Sequence, residues 1–223
     1  MISLSEQLKI NESDWQNMRE EAQNYLKGKF WKDFTWHAAR MAVVDPLRFK
    51  KEISLSDNEW LLMSRELEKY KLNQDWFSFA ARAARMSLID PVRIKNFGIP
   101  LTEWQAIVDL LKKFAGFHNW ENFASHAHHL KILSLEKFKQ VKISDQEWQG
   151  MLGRLDDYRQ HDIRGKFTKL ASYMKIIDPE KFKQVRISAA DWEQISQELQ
   201  AKRDKNYWAA FAAQASRIKT LLS

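Results

Sequence analysis

The chain of 223 residues has no cysteine, four prolines and six glycines. Lack of cysteine excludes disulfides, thiolate catalysis and cysteine-ligated metals, and is compatible with a reducing compartment. So little proline and glycine leaves small scope for long loops or linkers, and the abundant Glu, Lys, Leu, Ala and Gln favour helix. No stretch approaches the ~20 apolar residues that span a bilayer. The opening MISLSEQLKINESD has no basic segment followed by an apolar one, as a secretory leader would. These features predict a soluble, cytoplasmic protein with no membrane partner. Phosphate-cradling glycine loops, a nucleophile elbow and a carboxylate pair in a special context are also missing, so the expectation is a non-enzyme without cofactor.

What the chain has is periodicity. Trp15, Trp60, Trp104, Trp148 and Trp192 recur at steps of 45, 44, 44 and 44 residues. Met18, Met63, Ile107, Met151 and Ile195 lie three residues after each, and Ala22, Leu67, Leu111, Leu155 and Leu199 four further on. That is helical spacing, and it defines a first helix, A, in each repeat. Ser56 with Glu59, Ser144 with Glu147 and Ser188 with Asp191 have the form of capping boxes at its start, and Asn11 with Asp14 is a variant.

A second stripe follows. Trp31, Trp76, Trp120 and Trp208 precede Phe34, Phe79, Phe123, Phe167 and Phe211, then Ala38, Ala83, Ala127, Ala171 and Ala215. This helix, B, stops at Asp45-Pro46, Asp90-Pro91 and Asp178-Pro179, because proline disfavours helix in the residue before it. Asp as cap with Pro in the first position also starts a short turn, pinned by Phe49, Ile94, Phe138 and Phe182. The predicted A helices are 11–27, 56–71, 101–115, 144–159 and 188–203, and the B helices 30–44, 74–89, 118–133, 162–177 and 205–222. In the fourth repeat Arg164 stands where the others have Trp, which predicts a frayed or shifted start to that B helix.

Trp, an apolar residue at plus three, Ala at plus twenty-three and Pro near the end resemble the tetratricopeptide pattern, whose step is about 34 residues; the length is nearer a HEAT or armadillo unit. The resemblance implies a curved surface for ligands. One such pair cannot bury both stripes, so the expectation is all-α, a right-handed α-α superhelix (solenoid) of five tandem ~44-residue hairpins. It forms a single domain, 1–223, with repeats 8–52, 53–96, 97–140, 141–184 and 185–223.

Nine of the ten tryptophans are repeat positions and read as core; Trp36 is the exception, set one turn before Arg40. The pairs His37 with Arg40, Arg82 with Arg85, His126 with His129, Leu170 with Tyr173, and Gln214 with Arg217 share a helix face and would align into an exposed row if B lines the concave side. Trp36, His37, Arg40, Arg82, Arg85, His126, His129, Tyr173 and Arg217 are therefore candidate ligand-binding residues. Arg48, Lys50, Arg93, Lys95, Lys137, Lys139, Lys181 and Lys183 make each inter-repeat turn basic. Some of these complement the negative end of the preceding helix. His126, His128 and His129 lack the spacing of a metal pair, and no metal is expected.

The formal charge of +7 is unevenly spread. The predicted A helices hold 11 basic and 17 acidic residues, leaving 25 basic and 12 acidic elsewhere. The expected function is a scaffold binding a protein or acidic peptide along a basic helix-B surface; the alternative is nucleic acid bound there and at the turns.

Overall fold

The computed structural model describes residues 10–223, apart from the side chains of Asn96 and Phe97. Its described residues are all-helical, with no strand. Four pairs of long helices pack together: α1 (Glu12–Lys27) with α2 (Trp31–Val44), α4 (Asp57–Leu72) with α5 (Trp76–Ile89), α7 (Leu101–Gly116) with α8 (Trp120–Leu133), and α13 (Ala189–Asp204) with α14 (Trp208–Leu222), while α10 (Asp145–Gln160) and α11 (Arg164–Ile177) follow one another in the chain. Short helices α3 (Pro46–Glu52), α6 (Pro91–Phe97), α9 (Leu135–Phe138) and α12 (Pro179–Phe182) join them. The chain divides into two compact units, 1–54 with 158–223, and 55–157.

The starts and stops follow local chemistry. Asn11, Ser56 and Ser188 cap α1, α4 and α13 in reciprocal capping boxes with Asp14, Glu59 and Asp191, each satisfying two amides that the helix leaves open. Asp45, Asp90 and Asp178 end one helix and cap the next, with proline at its first position. Ser134 does the same for α9 without proline. Phe49, Ile94, Phe138 and Phe182 are buried as anchors. Between the long helices of each pair the chain turns through a left-handed residue: Lys29, Gln74, His118, Asp162 or Asn206, with φ between 51 and 58°. None is glycine, so each turn holds a conformation that L residues adopt at a cost of about 1–2 kcal/mol.

The predicted stripes form the cores in part: Trp15, Trp104 and Trp148 are buried, whereas Trp31, Trp60, Trp76, Trp120, Trp192 and Trp208 are half-buried. Phe34, Phe79, Phe123, Phe167 and Phe211 are all at most 1% exposed, and the alanines four residues on let neighbouring helices approach closely. The expected fraying of the fourth B helix does not occur. Helix α11 has 14 residues and begins in the register of the others, because Arg164 pairs with Asp162 in the turn and reaches the buried Asp191 at 3.4 Å.

In the second unit α5 packs on α8 and on α7. In the first, α11 packs on α14 and α13. Helix α14 in turn packs on α2 and α1. The last pair thus meets the first as the fourth B helix meets the fifth pair. Ion pairs repeat the relation: Lys71 with Glu103 at 2.8 Å, Arg159 with Asp191 at 3.4 Å, and Arg203 with Asp14 at 2.7 Å. In each, a cation from the last turn of one A helix meets a carboxylate at the third position of another, which for Asp14 and Asp191 also closes the capping box.

Candidate functional site

The residues expected to form an exposed row on the B helices are largely interior. His37, Arg82 and His126 are at most 2% exposed and His129 is 5%. Gln214 and Leu170, at the equivalent positions of α14 and α11, are buried too. The reason is visible in the hydrogen bonds. His37 Nε2–H donates to the Met18 carbonyl and His126 Nε2–H to the Ile107 carbonyl, both at 2.8 Å, so each imidazole ties a B helix to the A helix of its own pair. Burial lowers the pKa of both, that of His126 to about 4, more than the carbonyl contact raises it. Both are neutral at pH 7, and each leaves Nδ1 without a hydrogen-bond partner.

In the second unit, His126 stacks on Phe77 with ring centres 5.7 Å apart and meets the edge of Phe114 at 5.8 Å, while His129 meets Phe77 at 6.4 Å. The interaction is packing between α5, α7 and α8. Arg85 is half-buried. In the first unit, Arg40 lies 3.4 Å above the Trp36 ring centre and donates to the Trp36 carbonyl at 2.6 Å, a cation–π contact formed within α2 itself. Tyr173 and Arg217 are half-buried, and burial draws the Arg217 guanidinium below its ordinary pKa against the pull of Tyr173 and Glu198.

The basic turns hold helix starts. Arg48 pairs with Glu12 and with Glu52 and lies 4.9 Å over Trp15. Arg93 pairs with Asp57 at 2.8 Å beside Trp60, and Lys137 donates to the Ile99 carbonyl at 3.1 Å beside Trp104. Lys139 and Lys183 pair with Glu136 and Glu180 one turn back. Lys181 is half-buried, and Lys50 and Lys95 are exposed.

The first unit also contains a cavity of about 480 Å³ lined by Trp15, Val44, Asp45, Arg48, Leu199, Ile218, Lys219 and Leu222, among others. The second has an open groove of about 710 Å³ beside Phe117, Trp120, Gly150, Arg154 and Asp157. There a Cβ on Gly150 would fall 2.3 Å from the Trp120 ring. Gly150→Ala is therefore expected to lower stability by about 1–2 kcal/mol in chemical denaturation, because displacing the ring outweighs the roughly 1 kcal/mol gain in helix propensity. A more stable variant would show that Trp120 is not held there.

A different set of residues is exposed: Phe30 (59%), Leu72 (79%), Phe117 (81%), Ile163 (39%) and Tyr207 (62%). Phe30, Phe117, Ile163 and Tyr207 lie in the turns joining consecutive long helices, and Leu72 is the last residue of α4; the repeat reading passed over this set. The signal was present in Phe30, Ile163 and Tyr207, apolar residues directly before a B helix where Asp75 and Asn119 stand in the other two pairs.

Among the described residues no three His, Asp or Glu side chains are grouped to hold a metal ion, and no helix is long and apolar enough to cross a membrane. Comparison with protein-family models, curated proteins and solved structures finds no match to this chain.

Proposed function

We propose that the chain is a non-catalytic interaction scaffold, a right-handed α-solenoid of five hairpins of about 44 residues, whose partner is a protein. The observation that carries this reading is the set of exposed apolar side chains in or beside the turns between consecutive long helices: Phe30, Leu72, Phe117, Ile163 and Tyr207. Phe30, Ile163 and Tyr207 share one position, directly before a B helix, and exposed apolar side chains that cluster mark an interaction surface more readily than scattered ones do. Burial of His37, Arg82 and His126 moves the binding surface away from the middle of the B helices and towards these turns.

The test is crosslinking followed by affinity capture, with and without nuclease. The scaffold reading expects a protein recovered equally in both; recovery that disappears with nuclease contradicts it. A second reading, nucleic-acid binding through the basic turns, draws on the exposure of Lys50, Lys95, Lys139 and Lys183. It expects binding to single-stranded RNA or to DNA that weakens steeply as salt rises, and an absence of binding at low salt removes it.

A further inference from the structure

We infer that the edge of the first unit formed by the starts of α11, α14 and α2 binds an acidic peptide segment carrying regularly spaced apolar side chains. This rests on the scaffold reading and names its partner. Helix α14 packs between α11 and α2. The contacts Gln214 Nε2 to Thr168 Oγ1 and Lys175 Nζ to the Leu221 carbonyl span the same 46 positions, so α11 and α14 run in parallel. The ends of α2 and α14 line one cavity, which orients that pair likewise. The three helix starts therefore lie side by side, about 8–10 Å apart as packed helices are.

The residue at each start is Ile163, Tyr207 or Phe30, and none makes a side-chain cap. The backbone does not forbid one. Asp75 and Asn119 occupy the same position in the other unit with φ and ψ within about ten degrees, and their side chains accept from Ser78 and Asn122 amides. Three neighbouring positions thus forgo a stabilising cap for an apolar side chain that projects into solvent. Such a choice is expected of a surface kept for binding. The Phe30 ring is set in place across Gly28, where a Cβ would lie 2.5 Å from it.

Charge selects the partner. Segments 27–33, 160–166 and 203–208 hold seven Lys and Arg against three Asp, and Lys27, Lys29, Lys32, Lys166 and Lys205 are exposed. In the polyproline II conformation, with three residues per turn and a rise of about 3.1 Å per residue, every third side chain returns to one face about 9 Å on, which matches the spacing of the helix starts. Ile163 is aliphatic and gives a nucleobase no ring to stack on, which favours peptide over single-stranded nucleic acid.

The probe is a labelled peptide of four Leu-Glu-Glu triplets, followed by fluorescence anisotropy beside a Leu-Lys-Lys counterpart and an oligouridylate. The wild-type chain is expected to bind the acidic peptide saturably. The triple variant Phe30→Asn, Ile163→Asn, Tyr207→Asn is expected to lose at least about tenfold in affinity while its Tm rises by about 2–4 °C per restored cap. Loss of affinity in a variant that is no less stable separates binding from misfolding. Equal affinity in the variant, no binding of the acidic peptide, or preference for the lysine peptide or oligouridylate overturns the inference. Nuclease-resistant capture of a protein by the wild-type chain judges the scaffold reading separately.

Discussion

Replacing Arg203 with Met is expected to destabilise the protein by about 3 kcal/mol in urea denaturation. The Asp14 carboxylate, 2% exposed, accepts from Arg203 Nε at 2.8 Å and from a terminal guanidinium nitrogen at 2.7 Å. It also closes the capping box of α1. Methionine keeps the aliphatic stem beside Phe211, over which the guanidinium lies at 5.2 Å, yet removes the charge, leaving a carboxylate buried without its cation. Loss of one partner from a buried pair costs about 3–5 kcal/mol, and partial exposure of Arg203 places this case at the lower end. Arg154→Met is the contrast. Its ion pair with Asp157 sits on the surface, and a change below about 0.5 kcal/mol is expected.

Acid is expected to weaken the fold through His126. Its folded pKa is about 4, below the ordinary imidazole value of 6.5, because burial disfavours the cation. Above pH 6.5 both folded and unfolded states are neutral at this site, so its contribution is fully present. As pH falls the unfolded chain takes up a proton that the folded chain refuses, and stability is lost until the folded pKa is reached. Between pH 7 and pH 5 this amounts to about 2 kcal/mol. His37, lowered for the same reason, adds to it. His126→Gln retains an N–H donor and removes the titration; Gln214 fills the equivalent position of α14 fully buried, where its amide donates to Glu198. The variant's stability should therefore fall less over that pH range, by about 2 kcal/mol. An unchanged pH dependence would show that His126 is not the group responsible.

The helices were legible because their signals are local. Tryptophan spacing, capping boxes at Ser56 and Ser188, and the Asp-Pro stops gave bounds within about two or three residues of those found. The face of the B helices was not legible in the same way. His37, Arg82 and His126 look like surface residues by type, and for the two histidines it is backbone acceptors and aromatic neighbours that make them interior. Leu170 at the same position in the fourth repeat was the available warning, since an apolar residue at a shared position points inward. Missing from the sequence reading, too, was the left-handed turn residue, which is Lys, Gln, His, Asp or Asn but never glycine.

Packing of the last pair on the first depends on residues nearly the whole chain apart, and no local pattern reports it. Its trace in the sequence is a matched pair of residue types: Arg203 and Asp14 stand where Arg159 and Asp191, or Lys71 and Glu103, stand between successive pairs. That trace becomes readable once the other two contacts are known. It corresponds to the contact of α14 with α2 and α1.

A double-mutant cycle on Asp14→Asn and Arg203→Met tests this contact most directly, since Asn can still accept from the Asn11 amide while either change removes the ion pair. The two residues are 189 positions apart in sequence, so no local helix effect couples them. Packing of α13 and α14 against α1 and α2 predicts a coupling energy of about 2 kcal/mol. Strictly additive single-mutant effects, with no coupling, would contradict it.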